Sequence, residues 1–253
     1  MSWQEAFEIY GGFAEVYDKF MDNVSYDEWY AYLHKLLSGC GISEGTVAEL
    51  ACGTGEITKR LYASGYQVIG LDLSEDMLTI AREKCADEVL LLYQDMRELE
   101  LLEPVDAFVC AGDGINYLDS LKEFEQVAKR VSAFLKKDGA FIFDLKTDYY
   151  FREIVGNRTI TDNREDASYI WENSYDEERM RNEYLLTVYE LVDDEKDLFV
   201  RSDEIHYQQV FSADDIKDVL EKNGFAVEHI YEAFSEHEPT GAAERIYVVA
   251  RQG

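Results

Sequence analysis

Two carboxylates and two glycines carry most of the chemistry that this sequence offers. Glu49 lies near the end of an apolar run, Val47 to Ala51, and a turn containing Gly53 and Gly55 follows. Asp72 closes a second β-rich run, Tyr66 to Leu71, nineteen positions after Gly53. Glycine at such a turn lets a ligand approach the backbone closely, and a helix starting there directs free N–H groups at that ligand. A carboxylate at the tip of the second strand can accept hydrogen bonds from both hydroxyls of a ribose. Each such charge-assisted bond contributes about 1.5–3 kcal/mol. The chemistry implied is the capture of a nucleoside-containing cofactor.

The elements that position these residues are a strand (Val47 to Ala51), an amphipathic helix (Glu56 to Ser64) and the second strand, which together form a βαβ unit. A dinucleotide fingerprint requires G-x-G-x-x-G, and Thr58 stands where the third glycine belongs, which argues against NAD or FAD. The stretch Glu49-Leu50-Ala51-Cys52-Gly53-Thr54-Gly55 instead resembles the acidic-x-G-x-G-x-G motif of the class I S-adenosylmethionine (SAM) dependent methyltransferases, with Ala51 replacing one glycine. The resemblance implies SAM as cofactor, with Glu49 facing its methionine ammonium and Asp72 its ribose.

The remaining motifs fall at strand ends. Ser74 caps a helix running to about Lys84, whose inner side carries Met77, and Leu73 and Met77 are placed to bracket a flat group such as adenine. A third strand, Glu88 to Tyr93, leads to Asp95 and Met96, to which the resemblance assigns the adenine edge; capping a helix is the other reading of Asp95. The fourth strand, Val105 to Ala111, opens onto Gly112-Asp113-Gly114-Ile115-Asn116-Tyr117-Leu118. Ligands of a doubly wound sheet sit beyond such carboxyl ends, so Ala111 and this loop border the transferred methyl. The N-Y-L triplet resembles small-molecule N-methyltransferases of the glycine and amino-sugar groups, in some of which a histidine stands at the place of Tyr117. A phenol with a pKa near 10 is a weak base at neutral pH and serves better as donor or positioner. Asp113 can accept a proton, orient an ammonium, or cap the next helix. Upstream, Phe13-Ala14-Glu15-Val16-Tyr17-Asp18 resembles the arm that closes over SAM in this family, which places Tyr17 near the sulfonium; packing the arm on the core is its alternative role.

Ser25 reads as an N-cap for a helix from Tyr26 to Leu37 with Trp29, Leu33, Leu36 and Leu37 on its apolar stripe, and Asp119 to Lys137 reads as a long amphipathic helix. A fifth strand, Ala140 to Leu145, carries Asp144 as a further candidate carboxylate. From Lys146 to Val210 helical periodicity gives way to β-alternation in about three segments, Tyr169 to Tyr175, Met180 to Val192 and Leu198 to Val210. His206, the one histidine among them, reads as structural. A helix (Ser212 to Asn223) and two strands complete the chain.

The expected architecture is α/β; the resemblance implies a doubly wound, Rossmann-like seven-stranded sheet whose last strand is antiparallel, with an inserted antiparallel β lid. Residues 1–146 and 211–253 would form the SAM-binding core, and 147–210 the lid, a substrate cover or a contact in a homo-oligomer. With 53 acidic and 24 basic residues the net charge is −29, a field that repels polyanions, so no nucleic-acid partner is expected. The four cysteines form no C-x-x-C pair and no zinc pattern appears. No apolar run reaches the ~20 residues of a membrane span, and the N-terminus lacks signal-peptide character; a cytoplasmic protein without a membrane partner is expected. The reaction expected is methyl transfer to a small-molecule acceptor, an amine before others. An O- or protein methyltransferase, a SAM-binding protein without turnover, and a nicotinamide oxidoreductase are the alternatives.

Overall fold

The computed structural model describes residues 14–253; Phe13 of the arm segment lies outside the described residues. Seven strands form one sheet: β1 (Thr46–Leu50), β2 (Gln67–Asp72), β3 (Leu90–Tyr93), β4 (Val105–Cys110), β5 (Leu135–Lys146), β10 (Phe225–Glu232) and β11 (Arg245–Gln252). Their order is β10-β11-β5-β4-β1-β2-β3. β1 pairs in parallel with β2 and β4, and the last strand, β11, runs antiparallel between β5 and β10. The near-continuous apolar runs of β1, β4 and β5 follow from this placement, because both faces of a central parallel strand are covered. One face packs Phe124, Val127 and Val131 of α5 (Leu121–Phe134) with Ile216 and Leu220 of α6 (Ala213–Lys222). The other packs Leu33 and Leu37 of α2 (Tyr26–Gly39) with Ile57 and Leu61 of α3 (Glu56–Ala63). Cys52 and Cys110 are buried, free thiols.

One helix cap and one helix end differ from the sequence reading. Ser25 occupies the N-cap position of α2, but its hydroxyl caps nothing and its carbonyl takes the N–H groups of Glu28 and Trp29. α5 stops at Phe134, three residues before Lys137, because Leu135 turns extended to pair with Val105 and Lys136 bonds Asp106 of β4 at 2.9 Å. The two lysines therefore open a strand. Ser120 and Ser74 do cap their helices, α5 and α4 (Glu75–Lys84), accepting from the N–H groups of Glu123 and Met77.

The segment after β5 holds a second antiparallel sheet of four strands, β6 (Thr159–Asn163), β7 (Ala167–Asp176), β8 (Arg181–Asp193) and β9 (Leu198–Gln209). The sequence reading anticipated about three; β6 is short and mostly exposed, and so lacks the apolar alternation that marks the others. Strand period two turns Tyr169, Trp171 and Asn173 of β7 and Glu204, His206 and Gln208 of β9 to one face. The insert joins the core through Asn116, which is fully buried: its Nδ2 donates to the carbonyls of Gln209 at 2.9 Å and Lys146 at 3.3 Å, and its Oδ1 accepts the Lys146 N–H at 2.9 Å. Truncating it leaves three buried backbone groups without this partner, a loss of about 1–3 kcal/mol for each group left unsatisfied. Asn116→Ala is accordingly expected to lower the urea midpoint by the equivalent of about 2–4 kcal/mol. A midpoint unchanged from the parent protein would show that the side chain does not tie insert to core.

Candidate functional site

The crevice lies where the strand order reverses, between the carboxyl ends of β1 and β4. In a doubly wound sheet the crossing helices leave a gap there. A cavity of about 460 Å³ opens at this point, within the range of small-ligand sites. Its floor is built by the β1–α3 turn. Ala51 and Gly53 both adopt left-handed backbone (φ 52° and 53°), and a Cβ added to Gly53 would meet nothing within 4 Å. That glycine is where a ligand can approach the chain. Gly55 plays a different part, for it is absent from the cavity wall, and a Cβ on it would come within 2.9 Å of Cys85 Sγ and 3.2 Å of Ala81 Cβ. Its glycine serves helix packing rather than ligand contact.

Asp72 receives the Gly53 N–H on one oxygen at 2.7 Å and the Ser74 N–H on the other at 2.9 Å. Those bonds orient the carboxylate and leave lone pairs on both oxygens for a diol, since a carboxylate accepts about four hydrogen bonds. Burial raises its pKa. Glu49 lies deeper and is 2 % exposed, with the Thr58 hydroxyl donating to Oε2. Burial, only partly offset by that bond, pushes its carboxyl up to about 8. A carboxyl so destabilised as an anion is a receptor for a cation, and this donor set fits an aminoacyl nucleoside: an acceptor for an ammonium, one for a diol, and a glycine floor between. Leu73, Met77, Asp95, Met96 and Ala111 also line the cavity, with Tyr17, Asp113 and Tyr117 at its other end. Asp95 is held by Arg97, whose Nε lies 2.9 Å from Oδ2 and whose backbone N–H donates to Oδ1 at 2.8 Å. That arrangement combines a turn-capping role with a fixed carboxylate at the cavity edge.

At the end beyond β4, Asp113 neither caps the following 3-10 turn, Gly114–Tyr117, nor stands ready as a base. Lys146 Nζ lies 2.6 Å from its Oδ2, and Arg245 pairs with both Asp113 and Asp144. Burial opposes charge on Asp113, but Arg245 and Lys146 outweigh it and hold the carboxyl down to about 2. It is an anchor for two cations, and its proton-accepting role is withdrawn. Asp144, fully buried, takes the N–H groups of Gly112 at 2.9 Å and Asp113 at 3.3 Å, and so shapes the loop. Tyr17 and Tyr26 share a hydrogen bond, and burial raises the Tyr17 phenol well above its ordinary range, so it stays neutral.

The arm helix α1 (Ala14–Phe20) crosses the cavity and touches both halves of the molecule. On the core side Asp18 pairs with Lys84 and accepts from the Thr54 hydroxyl at 2.8 Å. On the insert side Val16 and Phe20 pack on Ala167, Leu186 and Val188, while Lys19 meets Asp166 at 2.7 Å and Asp22, beyond the helix, meets Arg164 at 2.6 Å. Lys146, Arg245 and Trp29 were not singled out as site residues from the sequence. Lys146 ends a strand, the position at which Asp72 was recognised, and that signal was available for it. Arg245 reaches the site through the reversal of β11, and Trp29 reads as core stripe. Among the described residues no helix is long and apolar enough to cross a membrane.

The chain is similar to several known proteins. A methyltransferase-domain family model matches residues 47–139. The putative methyltransferase YqeM of Bacillus subtilis is 33% identical over 249 residues, spanning 96% of this chain and 97% of its own. A crystal structure of a SAM-dependent methyltransferase from Clostridium acetobutylicum superposes with a TM-score of 0.84 at 25% identity, covering 96% of this chain and 99% of that one. The sugar N-methyltransferase of a Streptoalloteichus species shares the fold, with a TM-score of 0.77 at 17% identity over 94% and 93% of the chains.

Two outcomes follow for SAM binding, both read by calorimetry. Asp72→Ala is expected to weaken SAM by at least about tenfold, one lost charge-assisted hydrogen bond, in a protein that still folds; equal affinity would remove the ribose assignment. Glu49 gives a pH dependence of definite sign. Free, its carboxyl keeps its proton up to about 8; an ammonium beside it favours the carboxylate, so binding expels a proton below that pH. Affinity should rise with pH, by at most about tenfold per unit, and level off above about 8. Glu49→Gln should flatten the curve, and an equally steep curve in the variant would place the linkage elsewhere.

Proposed function

The chain belongs to the class I SAM-dependent methyltransferases, and from that premise we propose that it methylates a small-molecule amine. In this reading residues 1–146 and 211–253 hold SAM, and residues 147–210 cover the acceptor. Bound SAM supplies a methyl group on a sulfonium, activated for in-line displacement. The protein contributes mainly alignment, worth roughly 7–11 kcal/mol in favourable intramolecular cases. Tyr17, Trp29, Tyr117 and Trp171 wall the acceptor end, and aromatic faces favour both a sulfonium and an ammonium product.

The observation that carries the choice of nitrogen is the state of Asp113. An alcohol needs a base to become nucleophilic, and the carboxylate at the acceptor end is held at about 2 by its two cations. A neutral amine already presents its lone pair. The Streptoalloteichus enzyme, a sugar N-methyltransferase by name, is compatible with this acceptor class. Trp171 supplies a directional element: its indole Nε1–H is buried without a hydrogen-bond partner among the described residues.

The deciding experiment incubates the protein with SAM and matched sets of small amines, phenols and alcohols, and detects methylated product by mass spectrometry. Methyl groups on nitrogen are expected, and transfer confined to hydroxyls would overturn the proposal. Trp171→Phe, which keeps a ring and removes the N–H, should raise the acceptor KM about five- to tenfold, the worth of one hydrogen bond of roughly 1–1.4 kcal/mol, with SAM affinity unchanged. An unaltered KM would exclude the indole from acceptor recognition.

A further inference from the structure

The insert ends its sheet on β9, a strand of twelve residues, and among the described residues only β8 pairs with it. An edge strand presents a row of backbone N–H and C=O groups to any passing chain, and proteins usually blunt such edges by brevity, bulges, proline or lysine. The other three edges follow that rule: β3 has four residues, β6 has five, and β10 changes register between Val227 and His229. β9 contains neither proline nor lysine, and its pairing with β8 is regular from Phe199 onward. Phe199, Val200 and Ile205 stand 36 %, 53 % and 50 % exposed.

What this edge matches can be read from its own residue order. Phe199, Arg201, Asp203 and Ile205 share the outer face of β9, opposite to the face of Glu204 and His206. About Ser202 they read apolar, basic, acidic, apolar, a self-complementary row. A two-fold axis through Ser202 lays a second β9 antiparallel to the first and sets Arg201 opposite Asp203 and Phe199 opposite Ile205, each match occurring twice. Opposite charges and aromatic with β-branched residues are favoured cross-strand neighbours. Moving the axis to Arg201 or to Asp203 puts like charges opposite each other, so the pattern also selects the register. Both charges are already ordered: Arg201 Nη2 lies 2.8 Å from Asp203 Oδ1, which takes the Thr187 hydroxyl at 2.6 Å. Asp203 Oδ2 accepts no hydrogen bond among the described residues, and a carboxylate has acceptor sites for more. On the inner face Val200 comes opposite Glu204, whose carboxyl is turned to His206.

We propose that β9 is a self-association edge, on which two copies of the chain pair antiparallel about Ser202 and merge two four-stranded sheets into one of eight. The contact is isologous, so it closes after two copies and leaves no edge to propagate. The net charge of −29 repels a second copy at a distance, and attraction has to come from this local match. Seven residues a side form a small interface, which belongs with weak complexes, so a roughly micromolar dissociation constant is expected.

The test is sedimentation equilibrium of the full chain from about 1 to 500 µM, in ~0.15 M salt, where exposed charges are screened beyond ~8 Å. The parent should pass from the mass of one chain to that of two as its concentration rises. Arg201→Asp and Asp203→Arg, made singly, set like charges opposite each other at both matches. Each should raise the dissociation constant at least about tenfold, with melting temperature and SAM affinity retained. The two substitutions together restore opposite charges and should return the parent's dissociation constant. Ser202→Cys fixes the register: a short bismaleimide should link its two copies. The parent, with its four native thiols, and Val192→Cys, exposed but away from the axis, should stay single. A parent that is one chain at every concentration, a dimer indifferent to the single substitutions, or a double variant that stays apart overturns the proposal, as does linking of Val192→Cys in preference to Ser202→Cys.

Discussion

Four charged side chains, Asp113, Asp144, Lys146 and Arg245, neutralise one another in a largely buried cluster beside the cavity at the carboxyl ends of β4 and β5. Isolated, each would face a desolvation penalty of several kcal/mol, and removing one would strand its partners at a cost of about 3–5 kcal/mol. The loop after β4, the end of β5 and the start of β11 are therefore held as one unit. Arg245 is the first residue of its strand, opposite Lys146 in the register. Only an antiparallel strand brings its first residue to the edge where the parallel strands finish. The reversed strand thus supplies the site with a cation and Asp113 with its fixed charge. The carboxylates of the cavity divide accordingly: Asp72 and Glu49 keep lone pairs for ligand groups, and Asp113 is fully engaged by its two cations.

Above that base the arm and the insert together enclose the cavity. α1 has no sheet of its own to pack on. Its apolar residues Val16 and Phe20 are buried by the insert, while Asp18 reaches Thr54 in the turn that approaches the cofactor. A single short helix thus ties the insert to the β1–α3 turn. The ion pairs around it are partly exposed, and such pairs each contribute little, typically less than about 1 kcal/mol. The apolar contacts set its place, and the charges set its register.

Much of this organisation can be read from residue order. The βαβ unit, the two strand-tip carboxylates and the β-rich insert all leave local patterns, because glycine turns, strand period and helix caps are decided by near neighbours, whereas the reversed last strand is implied only by the family resemblance. What escaped depends on contacts distant in sequence. Gly55 looks like its neighbour Gly53, and only the packing of α4 shows that it faces Cys85 and Ala81 instead of the ligand. Asp113 reads as a proton acceptor, an ammonium partner or a cap, since neither Lys146 nor Arg245 lies near it in the chain. The short strand β6 carries no apolar alternation, and α5 yields its last turn to β5 because pairing with β4 outweighs helical periodicity.

Asn116 binds Lys146 and Gln209 at once, so one side chain grips the chain where it leaves the core and where it returns. The exit and re-entry points of the insert are consequently neighbours in space, and the intervening polypeptide forms a closed excursion that the seven-stranded sheet does not thread through. Closing a longer or shorter excursion between fixed ends changes the chain entropy only slowly, by about 0.6 kcal/mol per doubling of length. Evolution can therefore exchange this segment as a cassette. A new excursion of different size and lining would change one wall of the cavity while the seven-stranded scaffold is kept.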